Sequence, residues 1–234
     1  MNDVARSDAL EDDTSVVNKR VKSPPGTSEE ILDVAEQLFG LHGLDGVSLR
    51  AIGAAAGSSN NYAVQYHFGD KAQLVRAIFE RRLPALEVQR ARLLSAVTRD
   101  GKGGDPRALL EVVLRPIAAE RDRDGRCSYA AFLVGLDHFE GDHSARMEVA
   151  DMAPLTHHVV GLLAGALPQI PEALFPDRSL AAWTVFLAAL VRWDRRKADG
   201  QAVLPRDVMI ADALDSAFGA LTAPVSQEVA NGLT

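Results

Sequence analysis

Cysteine is all but missing from this chain, and so is any excess of positive charge. A single thiol, Cys127, stands among 234 residues. That excludes an intramolecular disulfide and a multi-cysteine zinc site, and it points to a reducing compartment such as the cytoplasm. No unbroken apolar run reaches the roughly eighteen residues of a membrane helix, and the opening MNDVARSDALEDD is too acidic and polar for a signal peptide. A soluble cytoplasmic protein without a membrane partner is expected. No stretch alternates in the manner of a strand and no internal repeat appears, so apolar residues at helical spacing set the class as all-α.

Catalytic constellations are equally scarce. HFEGDH (138–143) lacks the paired His spacing of a zinc helix. The neighbours His157 and His158 diverge by about 100° on a helix, so they do not converge on one ion. GKGGD (101–105) has neither the glycine spacing nor the Lys-Ser/Thr pair of a phosphate loop. No catalytic residue, metal or cofactor is therefore assigned, and an enzyme is not expected.

Net charge is −7, which taken alone disfavours a phosphate-rich partner. The acidity is uneven, however. Residues 1–13 carry five acids and one Arg, whereas residues 19–82 hold eight basic and seven acidic residues, with KRVK at 19–22. A local contact surface is thus free of the overall acidic bias.

Residues 1–26 lack periodicity and end in SPPG, the composition of a disordered arm. Order is expected from Thr27, where TSEE forms a capping box and Ile31, Leu32, Ala35, Leu38 and Phe39 share one face; Gly43 closes this first helix. Ser48 caps a second helix ending at Gly57. Ser58 or Ser59 caps a third, running to about Tyr66. From Asp70 a long helix extends to about Thr98, with a bend expected at Pro84. Further helical patterns cover about 106–120, 128–140, 143–167 with a break near Pro154, 178–199 and 206–222.

Between the second and fourth patterns lies GSSNNYAVQYHFGDK (57–71), with two Ser, two Asn, one Gln, two Tyr and one His in ten positions. These side chains carry donors and acceptors with little charge, which suits reading the edges of a partner. Two helices joined at Gly57, the second short and polar, have the arrangement of a helix-turn-helix. Asn and Gln amides match adenine edges in a major groove.

The stretch TSEEILDVAEQLFGLHGLDGVSLRAIGAAAGSSNNYAVQYHFGDKAQL resembles the DNA-binding domain of the tetracycline-repressor (TetR) family. The capped first helix ending near Gly43, Ser48, Ala56-Gly57, Tyr66-His67-Phe68 and Asp70-Lys71 carry the likeness. One departure is an extra residue between Gly57 and Phe68 relative to the commonest pattern. The resemblance implies an N-terminal three-helix DNA-binding domain over 27–75, a helical ligand-binding and dimerisation domain over 76–222, and a flexible tail over 223–234. It also implies a homodimeric regulator of a palindromic operator, a repressor released by a small-molecule effector. An activator, a helical enzyme and a protein-binding scaffold remain as alternatives.

Carried over by position, the resemblance assigns base contacts to Ser59, Asn60, Asn61 and Tyr62; Gln65, on the same short helix, joins them by its amide. Phosphate contacts fall to Ser48, Arg50, Tyr66, His67 and Lys71. Only Arg50 and Lys71 are basic between 27 and 75, so Lys19, Arg20 and Lys22 of the arm are candidates for minor-groove contact. LAAWTVFLAALV (180–191) is apolar all round and calls for burial on both sides. Trp183, Phe186, Leu187 and Leu190, with Ile210, Leu214 and Phe218 of the next stripe, are the expected dimer contacts. Tyr129, Phe132, His138, Met147, Met152, His157 and Trp183 are pocket candidates.

Overall fold

The computed structural model describes residues 26–60, 62–137 and 150–233. Among these residues there are ten α-helices and no strand. Asn61, His138 and Met147, together with Lys19, Arg20 and Lys22, lie outside the described residues.

Helix α1 (Ser28–His42) starts where Thr27 Oγ1 accepts the Glu30 N–H at 3.4 Å, and Glu29 and Glu30 face the positive end of the helix dipole. It buries Ile31, Leu32, Ala35 and Phe39. Gly43, at φ 70°, donates its N–H to Phe39 O and ends the helix. Helix α2 (Leu49–Ala55) is capped by Ser48, whose Oγ accepts from Ala51 N–H at 3.1 Å. The chain leaves it through Gly57 at φ 73°, a conformation that glycine adopts without Cβ strain.

Helix α3 (Ala63–Phe68) starts later than the sequence predicts. Ser58 does not cap a helix here. Its Oγ accepts from Asn60 N–H at 3.1 Å, and Asn60 Oδ1 in turn accepts from Tyr62 N–H at 2.9 Å. Such local side-chain bonds compete with the helical ladder and hold Ser58, Asn60 and Tyr62 outside the helix.

Helix α4 (Lys71–Arg99) is capped by Asp70 Oδ1 on Gln73 N–H at 2.8 Å and spans roughly 43 Å at about 1.5 Å per residue. The helix runs through Pro84 without interruption. Pro84 is exposed, so the carbonyl it leaves without an N–H partner is open to water. Helices α5 (Pro106–Ala119), α6 (Ser128–Asp137), α7 (Pro154–Gly165), α8 (Phe175–Ala198) and α9 (Arg206–Thr222) build the body around α4. A short helix, α10 (Gln227–Gly232), capped by Ser226, occupies the segment read from sequence as a flexible tail.

The first helix and the body meet almost backbone to backbone. A Cβ placed on Gly40 would sit 2.7 Å from Ala131 Cβ, and one on Gly135 would overlap Phe39 O. Neither position has room for a side chain, so α1 and α6 cross through two glycines. Phe39 and Phe132 pack beside the crossing with ring centroids 6.3 Å apart.

Helices α8 and α9 run antiparallel: Arg178 at the start of one reaches Leu221 O and Ala223 O at the end of the other. Here the expected dimer contacts need correction. Phe186, Leu187, Leu190 and Leu214 are fully buried within one chain and Ile210 is nearly so, because α8 and α9 bury these stripes against each other and the core. Phe218 is half-buried on the same core. A single apolar stripe reveals that a face is covered, but not by which chain. The outer face of α8 instead shows Leu180, Ala181, Thr184, Val185 and Ala188 to solvent. Within residues 172–198 an 18-residue window, at mean hydropathy 1.4, is long and apolar enough to cross a membrane, and only 22% of that window is buried. Asp177 and Arg178 interrupt the run in sequence, which is why it reads as too short.

Candidate nucleic-acid interface

Helices α2 and α3, joined through Gly57, pack on α1 by burying Ile52, Ala56, Ala63 and Val64. With those positions inward, the 3.6-residue period turns Tyr62, Gln65 and Tyr66 outward. Tyr62 is 70% exposed and Tyr66 84%. The two phenols lie four residues apart on one face, linked through the Tyr66 N–H to Tyr62 O bond at 2.8 Å. Large aromatics in water forgo burial, so one at the cap and one within a six-residue helix mark a surface built for contact.

Ser59, Asn60, Gln65 and His67 are also exposed. The His67 ring lies edge-on to Tyr66, centroids 5.3 Å apart. Phe68 is half-buried against the core. Asn60 has a duty the sequence did not reveal: its amide oxygen is committed to Tyr62 N–H, so a two-point adenine contact through that side chain requires the turn to open. Ser48 and Arg50 are exposed at the start of α2. Lys71 is partly held back, its Nζ donating to Leu44 O at 2.7 Å and tying α4 to the α1–α2 loop.

Beneath this surface an ionic network joins α1 to the body. Glu36, 1% exposed, accepts from Arg82 Nε and Nη2 at 2.8 and 2.7 Å and from the Ser128 hydroxyl at 2.5 Å. Arg82 also reaches Glu120 at 2.8 Å, and Arg81 bridges Asp33 at 2.7 Å and Glu36 at 3.3 Å. Arg123 pairs with Glu30 and Asp33 at 2.8 and 3.0 Å. Burial alone would raise the Glu36 carboxyl, but the Arg82 hydrogen bonds and charge, with Ser128 and Arg81, hold it below its ordinary value. The Arg82 guanidinium, opposed by burial but paired with Glu36 and Glu120, is pushed further up. This network escaped the sequence reading because its charges look like a solvated face. The available signal was Glu36 sitting inside the 31/32/35/39 apolar stripe.

Farther along α4 a cavity of about 180 Å³ opens between α4, α5, α6, α7 and α8, lined by Phe79, Leu83, Arg90, Ile117, Tyr129, Leu133, Ala153, Thr156, His157 and Trp183. Of the predicted pocket residues it gathers Tyr129, His157 and Trp183. Phe132 is not among its lining; it is fully buried in an aromatic cluster with Phe39, Phe79 and Tyr129. Met152 packs half-buried on the core and is not among the lining.

A three-helix head whose second and third helices form a turn with outward polar and phenolic groups defines a helix-turn-helix DNA-binding protein. Residues 31–78, which span α1 to α3 and the start of α4, match the family model for bacterial regulatory proteins of the tetR family. Over these residues the chain carries a DNA-binding domain of the kind found in tetR-family regulators, the mark of a DNA-binding transcriptional regulator. No curated protein matches the chain.

Proposed function

We propose that this chain is a repressor that binds a palindromic operator as a homodimer and leaves it when a small molecule occupies the body. The observation that carries the reading is the outward display of Tyr62, Gln65 and Tyr66 on the second helix of the turn. In this reading Tyr62, Gln65 and Ser59 meet base edges, while Ser48, Arg50, Tyr66, His67 and Lys71 contact phosphates. Asn60 shapes the turn that presents them. Asn61 and the arm residues Lys19, Arg20 and Lys22 complete the contact from outside the described residues.

The second chain is suggested by α8, whose outer apolar stripe is exposed, with nothing over it among the described residues of one copy. A symmetric pairing there places two heads on successive major grooves. Control follows from α4: Phe79, Leu83 and Arg90 line the cavity, and the same helix begins at Lys71, tied to the head. An effector that prefers a body with displaced heads must lower operator affinity, since coupling is reciprocal.

Selection of bound duplexes from random sequence tests the first part. A palindrome with half-sites about one helical turn apart is expected; a single asymmetric site would overturn the dimeric reading. For the lever, Pro84→Ala should alter effector-driven release measured by gel shift. An unchanged response would reject α4 as the connecting element.

A further inference from the structure

We propose that the cavity beside Trp183 takes a small, neutral, mainly apolar molecule bearing one hydrogen-bond acceptor, of the class of aryl ketones, esters or lactones. This rests on the reading of that cavity as the effector site and names its ligand chemistry. The Trp183 Nε1–H is buried and has no hydrogen-bond partner among the described residues, although Trp183 lines the cavity. A buried donor without an acceptor has lost its water and gained nothing, so an acceptor brought by a ligand has a place to bind.

Charge narrows the class. Arg90 is the cationic group of the lining, yet its Nε and Nη2 donate to Val113 O at 3.3 and 3.2 Å and its Nη1 pairs with Glu87 at 3.2 Å. Glu87 is itself satisfied by Leu155 N–H at 2.7 Å and the Thr156 hydroxyl at 2.6 Å. The two charges offset each other, so an anionic ligand meets no unpaired guanidinium. Phe79, Leu83, Ile117 and Leu133 supply apolar wall. A cavity of about 150 Å³ accommodates benzene, so the roughly 180 Å³ here suits a ring with a short substituent.

Acetophenone, ethylbenzene and benzoate are matched probes: an acceptor, none, and a charged acceptor. Titrated into the full chain without DNA, acetophenone should shift the Trp183 indole N–H resonance, assigned by its loss in Trp183→Phe. The Trp193 signal should stay, since its Nε1–H already donates to Leu204 O at 2.9 Å. Acetophenone should bind about three- to tenfold more tightly than ethylbenzene, with benzoate weakest. In Trp183→Phe that advantage should shrink to less than about twofold while ethylbenzene still binds. Equal binding of acetophenone and ethylbenzene, tightest binding of benzoate, or a stationary Trp183 signal at saturation overturns the proposal. Trp193→Phe, which removes the other indole of the chain, gives the same assignment, so the test does not depend on how Trp183→Phe folds. Operator release is scored separately: binding at Trp183 without release rejects the effector reading and leaves this ligand chemistry standing. Release by a compound that leaves Trp183 unmoved does the reverse.

Discussion

Tyr66 is surrounded by solvent on most of its surface, so its removal should barely touch folding. Tyr66→Ala is expected to weaken binding to a selected operator by about 1–3 kcal/mol, read by fluorescence anisotropy, with unfolding free energy unchanged within about 0.5 kcal/mol. Equal affinity would show that the operator is held without it. Glu36 is the opposite case. Glu36→Gln strips the buried Arg82 of its main counter-charge and should cost about 3–5 kcal/mol in urea denaturation. The folded-state value of this carboxyl lies below 4.5. Its contribution is therefore complete above the unfolded value and is lost as pH falls through the folded one. The variant should accordingly show a flatter acid limb below the ordinary carboxylate value of 4.5. At this scale the sequence revealed chemistry better than placement. Tyr62 and Gln65 face solvent as their residue types suggest, whereas Asn60 turned out to brace the backbone and Glu36 to lie inside.

Helix boundaries were legible wherever a cap or a breaker stood in the sequence. Thr27, Ser48, Asp70 and Asp105 begin helices as their side chains dictate, and 206–222 matches α9 at both ends. Helix α3 was misplaced because Ser58 and Asn60 offer two competing local bonding schemes, and propensity alone does not rank them. The α1–α6 crossing was invisible for a different reason: mid-helix glycines report close approach only once the partner is known. Gly40→Ala and Gly135→Ala should each lower stability by about 1–3 kcal/mol by forcing the helices apart. Gly161 in α7 has nothing within 4 Å of a built Cβ, so Gly161→Ala should raise stability by about 0.5–1 kcal/mol. Thermal unfolding of the three variants separates crowding from ordinary helix propensity. A rise in all three would dissolve the crossing argument.

At the level of the whole molecule, the proposed pairing through α8 is tested by Val185→Glu. This places a charge in the outer stripe, 37% exposed in one chain, and sedimentation should show a monomer with unchanged helix content. A persistent dimer would move the interface elsewhere. Sequence could announce that this helix wants cover on two sides, since its apolar residues occupy every face, but it could not divide those faces between neighbour and twin. The glycine crossing carries one last consequence. Phe39 rests against Phe132, and α1 has its floor in α6, so the stretch that carries the family's signature is not a detachable module. Cut after residue 78 and grafted onto a foreign body, it would expose Phe39 and orphan Glu36, and a chimera that keeps DNA-reading competence must import α6 along with it.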